Sequence, residues 1–147
     1  MWIILIIKNY DQLLADDLDE LEIELRRLAL KSLEKAVESV KPDKLIEKSI
    51  KLKHDILYIQ GDAYNLNNFN TIYIIGGGKA TFDMAVALKY KFIDSNLKNN
   101  YKGLINIPDS QDVATEKLSP QIQINKSSHP IPNKIGMQGV KLMLKLL

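Results

Sequence analysis

The chain has 147 residues, enough for one domain with its own core. Its composition, 46% hydrophobic and 26% charged with a net charge of +2, is that of an ordinary soluble globular protein and lacks the basic excess of a nucleic-acid binder. The absence of cysteine excludes disulfides, zinc-thiolate sites and thiol nucleophiles.

The opening "MWIILIIK" holds an apolar run too short to span a bilayer, without the basic n-region and cleavage site of a signal peptide. It reads as a short strand or an extra leader. A cytoplasmic location is expected, with neither membrane nor nucleic acid as a partner. From Asp11 to Val40 the apolar spacing, led by Leu14, Leu18, Leu21, Leu25 and Leu28, predicts a helix. The leucine rhythm drifts after Leu28, which favours a packed amphipathic helix over a coiled coil. Its early acids, "DDLDELEIE", followed by Arg26, Arg27 and Lys31, complement the helix dipole.

Pro42 suits the first turn of a second helix, "PDKLIEKSIKL", so a helical hairpin opens the chain. His54 lies in a polar segment and is expected to be exposed. Gly61 to Asn70, rich in glycine and asparagine, reads as a loop. Thr71 to Ile75 is a strand, "ATFDMAVALKYKF" a helix packed on a sheet, Gly103 to Ile107 a buried strand, and Gln121 to Asn125 a half-buried one. "KIGMQGVKLMLKLL" closes the chain as a helix. The order strand, helix, strand, strand, helix predicts an α/β fold, a Rossmann-like three-layer sandwich with a mostly parallel sheet. The helical lead-in occupies 11–53 and the sheet-helix region 71–147.

In "TIYIIGGGKAT" a β-branched strand runs into Gly76, Gly77 and Gly78 and then Lys79. Glycines let the backbone approach a ligand, amides at a helix start favour an anion, and the lysine adds a full positive charge. The combination suits phosphate or carboxylate. It is not a P-loop, because Tyr73 stands at the first glycine position and Ala80 where Ser or Thr belongs. A dinucleotide fingerprint is met at Gly76 and Gly78 but fails at Thr81, and the strand "GLINI" ends without an acid to hold a ribose. The alternative is a tight strand-to-helix turn beside a solvated lysine.

"SSHPIPN", Ser127 to Asn133, follows the third strand, so parallel strands would bring it to the same sheet edge as the glycine turn. His129 can donate or accept hydrogen bonds, and Ser127 and Ser128 add hydroxyls. Pro130 and Pro132 stiffen the loop, the His129–Pro130 bond can be cis, and Asn133 suits a helix N-cap. No nucleophile-elbow pattern supports a serine hydrolase. Taken alone, a histidine such as His129 is more often a structural loop residue than a catalytic one.

The two motifs in this order resemble the N-terminal region of the type II glycerate kinases, also known as glycerate 2-kinases or hydroxypyruvate reductases. The resemblance rests on "RRLALKSLEKAVESVKPDKLIEKSIKL", "IYIIGGGKATFDMAVAL" and "SSHPIPNKIGMQGVKLMLKLL". It implies transfer of the γ-phosphoryl group of ATP to D-glycerate, giving 2-phosphoglycerate, with Mg2+ assisting the nucleotide phosphates and no metal site of the chain's own. It further implies Lys79 as the catalytic residue, with Gly76, Gly77, Gly78, Ser128, His129 and Pro130 lining phosphate or substrate. Two departures stand out: Asn133 replaces an expected aspartate, and "IPDSQ" replaces a glycine-containing loop. Residues 1–147 would then form an incomplete domain, inactive alone, with an arginine-bearing second domain supplied elsewhere. Self-association, or association with that C-terminal portion, is expected. The alternative function is a non-catalytic Rossmann-like module that binds a phosphorylated small molecule or nucleotide.

Overall fold

A computed structural model describes residues 6–14, 18–92 and 100–147. Most of "MWIILIIK" therefore lies outside the described residues, as does part of the first expected helix. A 3-10 turn at Asp11–Leu14 precedes helix α1, Glu20–Ser39. Asp19 caps α1 in a reciprocal box: its carboxylate accepts from the Glu22 amide at 2.8 Å, and Glu22 accepts from the Asp19 amide at 3.2 Å. Pro42 opens helix α2, Pro42–Ser49, as its missing N–H and fixed φ dictate. The expectation that α1 packs closely is not met. Only Leu30 is buried, whereas Leu21, Leu25 and Leu28 stay more than half exposed.

Two further expectations are corrected between α2 and the glycine turn. The second helix stops at Ser49, and Ile50–Lys53 is strand β1. Gly61 to Asn70, expected as loop, contains strand β3, Asp62–Asn65, and a 3-10 turn at Leu66–Asn68. With β2, Ile56–Ile59, these form an antiparallel meander in the order β1-β2-β3. The signals were local and easily missed. His54 turns the first corner at φ 53°, and Gln60-Gly61 turns the second with both φ positive, at 51° and 105°, as a two-residue hairpin requires. His54 is exposed, as expected.

The second sheet is the expected parallel one. Strands β4, Ile72–Gly77, β5, Tyr101–Pro108, and β6, Ile122–Ser127, lie in the order β4-β5-β6. Helix α3, Thr81–Phe92, connects β4 to β5, while residues 109–121, with a 3-10 turn at Thr115–Lys117, connect β5 to β6. Helix α4, Lys134–Leu146, follows β6. The sheet was legible because β5 reads as a nearly continuous apolar run, the mark of a strand covered on both faces. Gly103 lets β4 and β5 approach: a Cβ there would lie 1.9 Å from the Ile74 carbonyl oxygen.

The two helices take opposite faces, giving three layers. On one face Tyr101, Ile105 and Ile107 of β5 pack with Phe82, Ala85 and Phe92 of α3, and Leu57 and Leu66 of the meander region join this core. The Phe92 and Tyr101 rings meet at 5.4 Å, tilted by 54°. Lys89 Nζ reaches back from α3 to the Lys117 carbonyl at 2.9 Å, holding the β5–β6 connection on that side. The other face carries Leu104, Asn106 and Asn125, because successive strand residues alternate. There Asn125 Nδ2 donates to Asn106 Oδ1 at 2.9 Å and to the Ile135 carbonyl at 3.1 Å, and Asn106 Nδ2 donates to the Gly136 carbonyl at 3.1 Å.

Gly139 sits over this asparagine bridge, where an added Cβ would fall 2.0 Å from Asn106 Oδ1 and 2.6 Å from Asn125 Nδ2. Gly-to-Ala inside an exposed helix normally gains about 1 kcal/mol. Here the sign reverses. Gly139→Ala is expected to destabilise the fold by about 2–3 kcal/mol through overpacking and a broken hydrogen bond. Urea unfolding measures this, with Gly136→Ala, whose nearest contact is 3.4 Å, as the milder comparison.

Candidate functional site

Parallel strands send all three following segments to one sheet edge, the edge where ligands of open α/β sheets bind. Gly78 to Ala80 leaves β4, Asp109 to Gln111 leaves β5, and Ser128 to Asn133 leaves β6. The expected glycine loop proves to be shorter than three residues. Gly76 and Gly77 belong to strand β4 and pair with Ile105 and Asn106 of β5, and only Gly78, at φ 120°, has a conformation that demands glycine. Gly76 is constrained by space instead, since a Cβ would lie 2.8 Å from Thr81 Cγ2.

The turn is held on both sides of Lys79. The Gly78 amide donates to the Asn106 carbonyl at 3.1 Å, which extends the sheet ladder by one bond. Gln111 Nε2 donates to the Lys79 carbonyl at 3.1 Å. The Lys79 side chain itself is exposed, and among the described residues the amides of Lys79 and Ala80 have no acceptor. An open pair of amides, a helix start and a lysine side chain thus share one turn. Asp83 adds an acidic residue to the first turn of α3.

The His-Pro loop borders the same edge across β5. Its His129–Pro130 peptide is cis, His129 and Pro130 are exposed, and Ser128 is half-buried. Asn133 caps α4 by accepting from the Gly136 amide at 2.9 Å, as expected for that position. Lys79 and His129 lie on segments separated by the width of β5, and no hydrogen bond among the described residues joins them. The described residues hold no group of three or more His, Asp or Glu side chains able to ligate a metal.

Three positions that shape the candidate site escaped the sequence reading. Asn106 and Asn125 orient the start of α4, and Gln111 braces the Lys79 peptide. Its Oε1 is buried without a partner among the described residues. A signal existed for Asn106: it interrupts the buried run Leu104–Pro108, where a polar amide is uneconomical unless it has a partner. Asn125 gave none, because its face of β6 also holds Gln123 and Ser127. Gln111 carried none, because its role depends on the path of the loop after β5.

This arrangement defines a class: a Rossmann-like α/β domain with an anion-favouring turn at the carboxyl edge of its parallel sheet. More particularly, the chain belongs to the family described as domain of unknown function DUF4147, whose family model matches residues 28–147. That domain occurs at the N-terminus of glycerate kinase-like proteins. No curated protein sequence matches the chain. Among solved structures it is similar in fold to the PH0495 protein from Pyrococcus horikoshii OT3, at 21% identity and a TM-score of 0.64. The match covers 83% of this chain and 25% of the archaeal one. No helix among the described residues is long and apolar enough to cross a membrane.

The glycines are expected to differ sharply under substitution. Gly78→Ala should cost about 1–3 kcal/mol, because a side chain at φ 120° is strained. Gly77→Ala, with its nearest contact at 3.8 Å, should be neutral or slightly stabilising. Thermal unfolding of the two variants checks the contrast.

Proposed function

We propose that this chain supplies the glycine-lysine wall of a glycerate 2-kinase, which transfers the γ-phosphoryl group of ATP to D-glycerate to give 2-phosphoglycerate. The observation that carries the reading is the braced Gly78-Lys79 turn at the start of α3, in a chain of the family found at the N-terminus of glycerate kinase-like proteins. Phosphoryl transfer requires mainly positioning and charge stabilisation. In this role Lys79 Nζ balances the negative charge on the phosphoryl oxygens, and the Lys79 and Ala80 amides orient them. Gly78 keeps the backbone clear of the anion. Ser128, His129 and Pro130 border the acceptor across β5.

Magnesium enters this reading as an ion carried on the nucleotide phosphates. Bound there, it would offset phosphate charge. The exposure of Lys79 favours a division of labour in which this chain binds and orients while another polypeptide segment excludes water. A second reading, a non-catalytic module for a phosphorylated small molecule or nucleotide, uses the same turn without the acceptor loop.

Titration of the chain with Mg-ATP, followed by calorimetry, tests the reading. Lys79→Ala is expected to weaken binding about tenfold or more, the equivalent of one charge-assisted hydrogen bond. Because the side chain is exposed, its unfolding midpoint should stay near that of the parent. Equal affinity in parent and variant would remove Lys79 from the site. Binding of ATP with no effect of D-glycerate, and no glycerate-dependent ADP release when a full-length relative carries the same lysine change and its parent, would favour the module.

A further inference from the structure

Helix α1 has one covered side and one open side. On the covered side the Ile6 amide donates to Glu34 Oε1 at 2.9 Å and Arg26 Nη1 donates to the Leu13 carbonyl at 3.2 Å, along the row that holds buried Leu30. The open side is apolar. Leu21, Leu25, Leu28, Leu33, Val37 and Val40 are between 47% and 64% exposed. At about 100° per residue, Leu21, Leu25, Ala29, Leu33 and Ala36 fall within an arc of about 120° that excludes Leu30. The preceding segment therefore has its seat elsewhere and leaves this strip uncovered.

The strip reads nearly the same in both directions. Leu25 and Leu33 stand equally far from Ala29, Leu21 and Ala36 follow at nearly equal distances, and the methyl of Ala29 marks the centre. A two-fold interface needs this self-complementarity, since each residue meets in the other copy a residue that meets it in return. Large side chains then oppose large ones, and the small residue at the axis lets the two helices approach. Charge sets the direction. The first turns carry Glu20, Glu22 and Glu24, and Arg26, Arg27, Lys31 and Lys35 follow. The later acids are already engaged: Glu34 accepts the Ile6 and Ile7 amides, and Glu38 pairs with Lys41. Antiparallel helices place the acidic turns of one beside the basic turns of the other, with their dipoles opposed, whereas parallel helices would set acid against acid. Along the border that Leu28 marks, Glu24 and Lys35 are nearly equidistant from Ala29, so Glu24 of one copy comes level with Lys35 of the other. Neither is in an ion pair among the described residues.

We infer that the exposed strip of α1 is the docking surface for α1 of a second copy of this chain, packed antiparallel about a two-fold axis at Ala29. The family match favours this occupant over a surface common to the family. It begins at residue 28, so Leu21, Glu24 and Leu25, which make up the first half of the pairing surface, lie outside it. The pairing also gives the drift in the leucine rhythm a purpose. Steps of four through Leu25, Ala29 and Leu33 hold the strip near the period of about 3.6 of a straight helix, instead of the period of about 3.5 that imposes a supercoil. Over the 20 residues of α1, about 30 Å, two straight helices can keep such strips in contact. The inference uses no residue of the glycine turn and stands whether or not that turn binds ATP.

Sedimentation equilibrium of the chain, without nucleotide or glycerate, is expected to give twice the monomer mass of 16.7 kDa. Leu25→Asp should raise the dissociation constant at least tenfold, whereas Leu144→Asp, on the exposed side of α4, should leave it unchanged. Glu24→Lys and Lys35→Glu should each weaken the dimer by about threefold or more, and the double variant should restore it. Direction is read by oxidising cysteine variants, since the chain has no cysteine of its own. Ala29→Cys should cross-link two copies, Leu25→Cys or Leu33→Cys alone should not, and a mixture of those two variants should. The cross-links decide the matter even if Leu25→Asp unfolds. A monomer at every concentration from micromolar to millimolar would overturn the proposal. So would a dimer that survives Leu25→Asp but not Leu144→Asp, or cross-linking through Leu25→Cys alone. None of these outcomes touches the Lys79 titration, so the two readings fail separately.

Discussion

The asparagine bridge beneath α4 is the constraint on which the rest of the sheet edge depends. Two side-chain amides from neighbouring strands, Asn106 and Asn125, bond to one another and to two carbonyls in the first turn of α4. A half-buried amide without partners would be costly, so α4 has one seat on this face, with Gly139 against the bridge. The path of the loop between β6 and α4 follows. Its end is fixed by the Asn133 cap and its start by β6, which leaves Ser128 to Pro132 to span the sheet edge.

The same residue links the two motifs. Asn106 holds α4 with its side chain and, through its main-chain carbonyl, accepts the Gly78 amide of the turn. One position of the central strand therefore serves both the glycine turn and the helix that ends the His-Pro loop. The two motifs share an edge without touching, and their relative placement is set by the sheet between them.

The parallel sheet was legible in the sequence, since β5 is apolar at most of its positions and the helix formers of α3 follow directly on the turn. The meander was not. Strands of four residues with alternating exposure, such as Ile50–Lys53, look like the continuation of an amphipathic helix when a helix immediately precedes them. Register corrected the glycines too: a run of three looked like a loop, yet pairing with Ile105 and Asn106 keeps the first two in the strand. The stripe of leucines on α1 was read as packed because periodicity records which residues share a face, not whether anything covers it. As for the site, Lys79 and His129 could be picked out as residue types in suggestive settings. Gln111 could not, because nothing local distinguishes an amide that braces a distant carbonyl.

That brace has an entropic consequence. The peptide before Lys79 is tied through the Gly78 carbonyl, which accepts the Thr81 amide at 3.3 Å, and the peptide after it is tied through the Lys79 carbonyl to Gln111. Both planes are set by folding, before any anion arrives. The amides of Lys79 and Ala80 therefore need no backbone ordering at the moment of contact, and the ordering that remains is confined to the lysine side chain. For a site on an exposed sheet edge, where each anion must be drawn from its own hydration shell, freedom surrendered during folding is what leaves the contact energy available for binding.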